Sequence, residues 1–126
     1  MEEYTYWGFN YSNSEEPESY YFFESPIDLI SYYSLNFNEL NQSKFWLISL
    51  DGLSKDKLFR FLDYGLKNLN LKNRLKQLNV CFDNDEAGNR AYVELEKIMI
   101  NNVNFNRVEV PLGYKDWNEY LQEKRG

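Results

Sequence analysis

Carboxylates with the spacing of a metal site follow two apolar runs of the chain. Asp83 and Asp85 come after the run 79–82, and Glu24 comes after the run 20–23. In extended backbone, side chains two residues apart point to the same side. Two such carboxylates repel each other unless a cation lies between them, and Mg²⁺ prefers carboxylates together with waters and substrate phosphates. The pattern therefore indicates phosphate chemistry with Mg²⁺, or with Mn²⁺ in its place.

Composition excludes several other kinds of site. The chain has 126 residues, no histidine and a single cysteine, Cys81. Without histidine, Ser-His-Asp and Cys-His catalysis are excluded and a zinc site is disfavoured, so any metal would have oxygen ligands. Cys81 lies in an apolar run, where a buried and unreactive side chain is expected. The lack of a disulfide, a signal peptide or an apolar run of membrane-spanning length favours a cytoplasmic protein.

Strands and helices that could position these acids alternate along the chain. Strands are predicted at 20–23, 45–50, 79–82 and 107–110, with a further aromatic strand at 4–11. Helices are predicted at 26–35, from 54 to about 65, from about 88 to 100, and from 115 to 121. This alternation is typical of a single α/β domain with a mainly parallel sheet of four strands and a possible fifth at the N-terminus.

The candidate acids fall where such a sheet binds ligands, beyond the carboxyl ends of its strands. Ser25 is a capping residue, Pro26 suits the first helical position, and Asp28 is an acid in the first turn, so Glu24 lies between a strand and a helix. Gly88 allows close approach of the backbone to a ligand, and the helix N-terminus there favours an anion such as phosphate.

Structural interpretations of the same acids remain open. The pair Asp83 and Asp85 could shape a turn and cap the next helix. Asp28 could simply stabilise the start of its own helix, and Asp116 could cap the last helix. The combination of acids at successive strand ends is what favours a metal site.

Basic residues are concentrated in one segment, although the net charge of the chain is -6. The segment is either a solvated helix face or a weak candidate for nucleic-acid binding, because clustered cations neutralise phosphates. Its candidate contacts are Lys55, Lys57, Arg60, Lys72, Arg74 and Lys76. The acidic total is unfavourable for a nucleic-acid binder that acts alone.

Taken in order, the motifs resemble those of the TOPRIM domain of primases, type IA and type II topoisomerases and some nucleases. The segment 22–28 resembles the first motif, and 81–88 resembles the second in its primase form. The segment 114–121 is similar to the K-D-x-N-x-x-L segment of TOPRIM-like domains in plasmid and conjugative-element proteins, including LtrC-like mobilisation proteins. The resemblance covers about 18–122. Ser25 and Pro26 stand where primases and topoisomerases have glycine. This departure argues against a topoisomerase and does not affect the metal ligands.

The resemblance implies roles for individual residues. Asp83 and Asp85 would hold Mg²⁺, and Glu24 would be a metal ligand or the general acid or base. Supporting positions around them would be Asp28, Gly88, Lys115 and Asp116.

A TOPRIM-like, Rossmann-like domain of this kind implies DNA replication or conjugation as the setting, with either nucleotidyl transfer or strand cleavage as the reaction. The expected partners are nucleotides, nucleic acid and other domains of a longer protein, and not a membrane. As an isolated domain the chain is expected to be monomeric and to bind metal without activity. The alternative is a non-catalytic nucleotide-binding or interaction module of a mobile-element protein. A phosphoacceptor receiver domain is disfavoured because no acidic pair follows the first strand.

Overall fold

Strands and helices alternate along the described chain, which comprises residues 10–50, 77–96 and 104–125 of the computed structural model. The strands in these ranges are β1 (Asn10–Ser12), β2 (Ser19–Phe23), β3 (Phe45–Ser49), β4 (Gln77–Val80) and β5 (Asn104–Arg107). The helices in these ranges are α1 (Pro26–Leu40), α2 (Glu86–Glu96) and α3 (Trp117–Arg125). None of these helices is both long and apolar enough to cross a membrane.

The described strands form one sheet in the order β1-β3-β2-β4-β5. β1 is antiparallel to β3, and the other neighbours are parallel. This confirms the predicted α/β class with a mainly parallel sheet and an extra strand at its N-terminal side. The chain moves from β2 outward to β3 and then returns across β2 to β4. The order of strands therefore reverses between β2 and β4, and ligands of open α/β sheets bind at such a reversal.

Both faces of the central strands are covered, as expected for a parallel sheet. Phe22 and Phe23 point to opposite faces of β2, and each is 0% exposed. On one face, Phe23 packs with residues of α1 and α3, and the rings of Tyr32 and Trp117 meet edge to face at 4.8 Å. Cys81 is a buried free thiol, as predicted, and burial raises its pKa well above the ordinary value.

Helix α1 begins as predicted and ends later than predicted. Ser25 is its N-cap and Pro26 follows at the first turn. The prediction ended at residue 35, but the helix continues to Leu40, across a non-helical residue at Asn36 with φ -127° and ψ 18°. Leu40 is buried in the core cluster, so tertiary packing carries the helix past a residue of low helical propensity.

Two strand boundaries also differ from the prediction. β4 starts at Gln77, two residues early, and ends at Val80. β5 ends at Arg107, where the predicted strand began. The prediction rested on the alternation of apolar residues at 108 and 110. The strand that pairs with β4 instead includes the polar residues Asn104 and Asn106. Polar residues are tolerated in β5 because it is the last strand of the described sheet. The predicted helix 54–65, the strand residues 4–9 and the basic segment 55–76 lie outside the described residues.

Candidate metal centre

The strand reversal brings Glu24 and Asp83 together. The N–H of Cys81 donates to the carbonyl of Phe22 at 2.8 Å, so the chain leaves β4 beside the end of β2. Two residues later, the backbone N–H of Asp83 donates to Oε2 of Glu24. The side chain that follows β2 thus accepts a hydrogen bond from the backbone that follows β4, as the strand-end rule predicts for these two acids.

Three carboxylates converge beside this contact. Asp28, Asp83 and Asp116 each offer one oxygen, and these oxygens all lie within 4.8 Å of one another. Asp28 comes from the first turn of α1, Asp83 from the loop after β4, and Asp116 from the residue before α3. We call these three residues the acidic cluster. The cluster therefore depends on the packing of three separate elements.

Asp28 connects the starts of two helices. Its backbone N–H donates to Oγ of Ser25 at 3.4 Å, and its Oδ2 accepts a hydrogen bond from that hydroxyl at 3.0 Å. Its Oδ1 accepts a hydrogen bond from the backbone N–H of Asn118 in the first turn of α3 at 3.2 Å. The side chain is only 3% exposed, so these donors compensate for much of its lost hydration.

Asp85 and Asp116 both cap helices. Oδ1 of Asp85 accepts a hydrogen bond from the N–H of Gly88 at 2.7 Å, and Oδ1 of Asp116 accepts one from the N–H of Glu119 at 2.8 Å. The structural interpretation of both residues is thereby confirmed. A cap uses one oxygen of a carboxylate, so it leaves the second oxygen for another partner. Asp116 belongs to the acidic cluster, whereas Asp85 does not.

Gly88 lies where a side chain would collide with the site. A Cβ atom placed there would meet the carbonyl oxygen of Asp83 at 2.3 Å, a distance that requires the backbone to move. The first turn of α2 can therefore approach the Asp83 backbone only because residue 88 is glycine.

Three acids of this region, Glu24, Asp28 and Asp83, have raised pKa values. Burial raises the pKa of Asp83 to about 8, with the hydrogen bond and charge of Glu24 adding to the effect. Burial also raises the pKa of Glu24, although the Asp83 N–H opposes the change. The pKa of Asp28 is raised by burial against the opposing hydrogen bond from Asn118. Crowded carboxylates without a nearby cation are expected to behave in this way.

The acidic cluster fits a hard divalent cation. All of its donors are carboxylate oxygens, and Oδ1 of Asp83 is buried without a hydrogen-bond partner among the described residues. Two oxygens bound to one Mg²⁺ at about 2.1 Å are at most about 4.2 Å apart, so the observed spacing of up to 4.8 Å needs only a small rotation of the carboxylates or a bridging water. The residues present therefore suit Mg²⁺ or Mn²⁺.

The loop that carries Asp83 is attached to the segment before α3. The N–H of Asn84 donates to the carbonyl of Lys115 at 2.7 Å, and its Nδ2 donates to the carbonyl of Tyr114 at 3.3 Å. Lys115 directly precedes Asp116 in the chain and is exposed. These bonds bring the second and third motifs together.

One residue of the site was missed by sequence reasoning. Nη2 of Arg107 donates to the backbone carbonyl of Asp83 at 3.1 Å. The sequence prediction made Arg107 the first residue of a strand. That position would lie at the amino ends of the parallel strands, opposite the site. The residue actually ends β5, so a correct strand boundary would have brought it to the carboxyl edge.

A separate pocket lies on the side of β1 and α1. It has a volume of about 340 Å³, and its lining is mostly apolar: Asn10, Tyr11, Leu29, Ile30 and Tyr33. None of these residues belongs to the acidic cluster. The pocket is therefore not part of the candidate metal centre.

Comparison with known proteins gives a family and a fold. The Toprim-like family model matches residues 21–121. An uncharacterized protein of Bacillus anthracis is 36% identical over 88 residues, which are 70% of this chain and 24% of that protein. The chain thus spans about a quarter of the length of this curated relative.

Solved structures with the same fold come from bacteriophage T7. The primase fragment of the T7 primase-helicase protein superposes with a TM-score of 0.57 at 17% identity, over 88% of this chain and 41% of that chain. A second match is a chain of the T7 lagging-strand DNA polymerase complex, which interacts with primase domains of two gp4 subunits bound to an RNA/DNA hybrid and dTTP. It has a TM-score of 0.57 at 20% identity. That match covers 89% of this chain and 51% of that chain.

Proposed function

The chain belongs to the Toprim-like family, and we propose that its acidic cluster binds Mg²⁺ for phosphoryl-transfer chemistry on nucleotides or nucleic acid. One observation carries the proposal: at the strand reversal, the buried Oδ1 of Asp83 has no hydrogen-bond partner in the described chain and faces a group of carboxylate oxygens. A buried polar atom without a partner is costly, and a cation would remove that cost.

Each acid would have a distinct part. Asp83, Asp28 and Asp116 would hold the ion, which would neutralise charge on nucleotide phosphates when bound. Glu24 would accept or release a proton at the reacting oxygen, because its raised pKa suits a general acid or base. Asp85 would orient the start of α2 through the hydrogen bond that its Oδ1 accepts from Gly88, which leaves its other oxygen for the ion.

The proposed setting is a primase-like or mobilisation protein with further domains. The chain covers 24% of its Bacillus anthracis relative and 41% of the T7 primase fragment. Its net charge of -6 is unfavourable for holding a polynucleotide alone. We therefore assign binding of the nucleic-acid strand to other domains. Nucleotidyl transfer and strand cleavage both use a metal-bound phosphate, and both are compatible with these carboxylates.

Calorimetric titration with a nucleoside triphosphate tests the proposal. We expect binding by the 126-residue protein in the presence of Mg²⁺ and none in a chelator. Asp83→Asn should weaken Mg²⁺-dependent binding by about tenfold or more, since it removes a charged ligand. Glu86→Gln is the matched control, because Glu86 is a highly exposed acid of α2 whose salt-bridge partner is Arg90. Binding that is unaffected by the chelator would contradict the proposed metal dependence.

A non-catalytic module is the second candidate function. It is favoured by the capping bonds of Asp85 and Asp116, which give both residues a structural reason to be acidic. In this case the acids would stabilise the fold, and Asp83→Asn would leave nucleotide binding unchanged. The same titration therefore separates the two candidates.

A further inference from the structure

Arg107 lies at the carboxyl end of β5, and its guanidinium reaches two other elements. Nη2 donates to the carbonyl of Asp83 at 3.1 Å, and the guanidinium carbon lies 5.6 Å from the centre of the Tyr92 ring on α2. Nε of Arg107 is buried and has no hydrogen-bond partner among the described residues. A buried donor without a partner costs free energy, so local stability alone does not explain an arginine here.

The peptide group between Asp83 and Asn84 is held at both ends. Its carbonyl accepts the hydrogen bond from Arg107, and its N–H donates to the carbonyl of Lys115 at 2.7 Å. The N–H of Asp83, one peptide earlier, donates to Glu24. Three elements thus fix the backbone on either side of the Asp83 side chain, and Arg107 contributes a side-chain hydrogen bond to its carbonyl.

We propose that Arg107 is a positioning residue of the metal centre: by holding the peptide after Asp83, it directs the Asp83 carboxylate toward Asp28 and Asp116. The functional part of this inference rests on the proposed metal site. Groups that orient metal ligands without touching the ion typically change metal affinity by about 10–100-fold when they are removed.

Arginine suits this task better than lysine. Its planar guanidinium can lie over an aromatic ring while an N–H points in a fixed direction, whereas a lysine ammonium is a mobile point charge. The ring of Tyr92 and the carbonyl of Asp83 together define that direction for Arg107. The structure therefore predicts that charge alone cannot replace it.

The test compares three variants of the full 126-residue chain. Arg107→Met keeps an apolar stem beside Tyr92 but removes the donors and the charge, and Arg107→Lys restores the charge. Arg90→Met is the matched control, since Arg90 lies on α2 with a 73% exposed side chain and pairs only weakly with Glu86 at 3.8 Å. Mn²⁺ affinity is measured by electron paramagnetic resonance. The ¹³C chemical shift of the backbone carbonyl of Asp83 is measured by NMR in the metal-free protein.

We expect Arg107→Met to weaken Mn²⁺ binding by about tenfold or more. The Mn²⁺ affinity of Arg107→Lys should lie between that of Arg107→Met and that of the unmodified protein. The affinity of Arg90→Met should stay within about twofold of the unmodified protein. Equal Mn²⁺ affinities in Arg107→Met and Arg90→Met would overturn the proposal. If Arg107→Met does not fold, an unaltered affinity in Arg107→Lys would overturn it instead.

The metal-free measurement separates this proposal from the proposed function. If the unmodified protein binds no Mn²⁺, the proposed function fails, and the Asp83 carbonyl shift still decides the role of Arg107. A change of that shift in Arg107→Met, absent in Arg90→Met, supports positioning of the peptide. An unchanged shift overturns it.

Discussion

At the scale of single residues, Asp83 combines the most unusual properties. Its backbone N–H is bound by Glu24, its carbonyl by Arg107, and its buried Oδ1 has no hydrogen-bond partner in the described chain. Its pKa is raised to about 8 by burial and by Glu24. A residue in such an environment is a candidate for function, because a protein under selection for stability alone would replace it.

Asp83→Asn should stabilise the metal-free protein, increasingly so as the pH rises. The folded state keeps a proton on Asp83 up to a pH of about 8, whereas the unfolded chain releases it near pH 4, so this group's contribution to stability is lost as the pH rises between these values. Asparagine is neutral throughout. After discounting for solvent around a half-buried group, we expect a gain of about 1 kcal/mol at pH 8 and almost none at pH 4.

Thermal unfolding in a chelator at several pH values measures this difference. Glu86→Gln controls for the general loss of a negative charge, because Glu86 is exposed and does not belong to the acidic cluster. A Tm of Asp83→Asn that lies below that of the unmodified protein at pH 8, or a difference that shrinks from pH 5 to 8, would contradict the account.

At the scale of elements, the sequence predicted which segments form strands and helices better than where some of those elements end. Buried apolar runs and the Ser25-Pro26 helix start are local signals, so β2, β3 and the start of α1 were predicted within a residue. The end of α1 and the position of β5 depend on packing and on the edge of the sheet, and both predictions were wrong.

The same distinction applies to the candidate site. Glu24 and Asp83 could be predicted to lie together because both follow strands of one parallel sheet. Sequence reasoning assigned Asp28 and Asp116 a supporting position, yet their oxygens lie in the acidic cluster with Asp83. That arrangement requires the first turns of α1 and α3 to meet, which depends on contacts such as Tyr32 with Trp117 and is not encoded in any local pattern.

Gly88→Ala should destabilise the fold even though alanine is the better helix former. The added Cβ would meet the carbonyl oxygen of Asp83 at 2.3 Å, so the start of α2 must move. Overpacking costs about 1–3 kcal/mol, and a collision with backbone belongs at the upper end of this range, above the gain of about 1 kcal/mol in helix propensity. Urea denaturation measures the change, with the exposed neighbour Asn89→Ala as the control. Equal or greater stability of Gly88→Ala would show that the close approach is absent.

At the scale of the whole molecule, charge connects the proposed metal to the proposed partner. The chain carries a net charge of -6, and the carboxyl groups of Asp28, Asp83 and Asp116 meet at the strand reversal. An anionic phosphate would be repelled from such a region, whereas a divalent cation bound there reverses the local sign. The family match over residues 21–121 includes all three acids of the cluster.

The most direct measurement is a titration of Mn²⁺ into the ¹⁵N-labelled protein, with paramagnetic broadening of each amide signal followed by NMR. If the acidic cluster binds the ion, amides at Asp28, at 83–85 and at Asp116 broaden first, Asp83→Asn abolishes this pattern and Glu86→Gln preserves it. Broadening centred on exposed acids elsewhere, or no selective broadening at millimolar metal, would contradict the claim that the acidic cluster is a metal site.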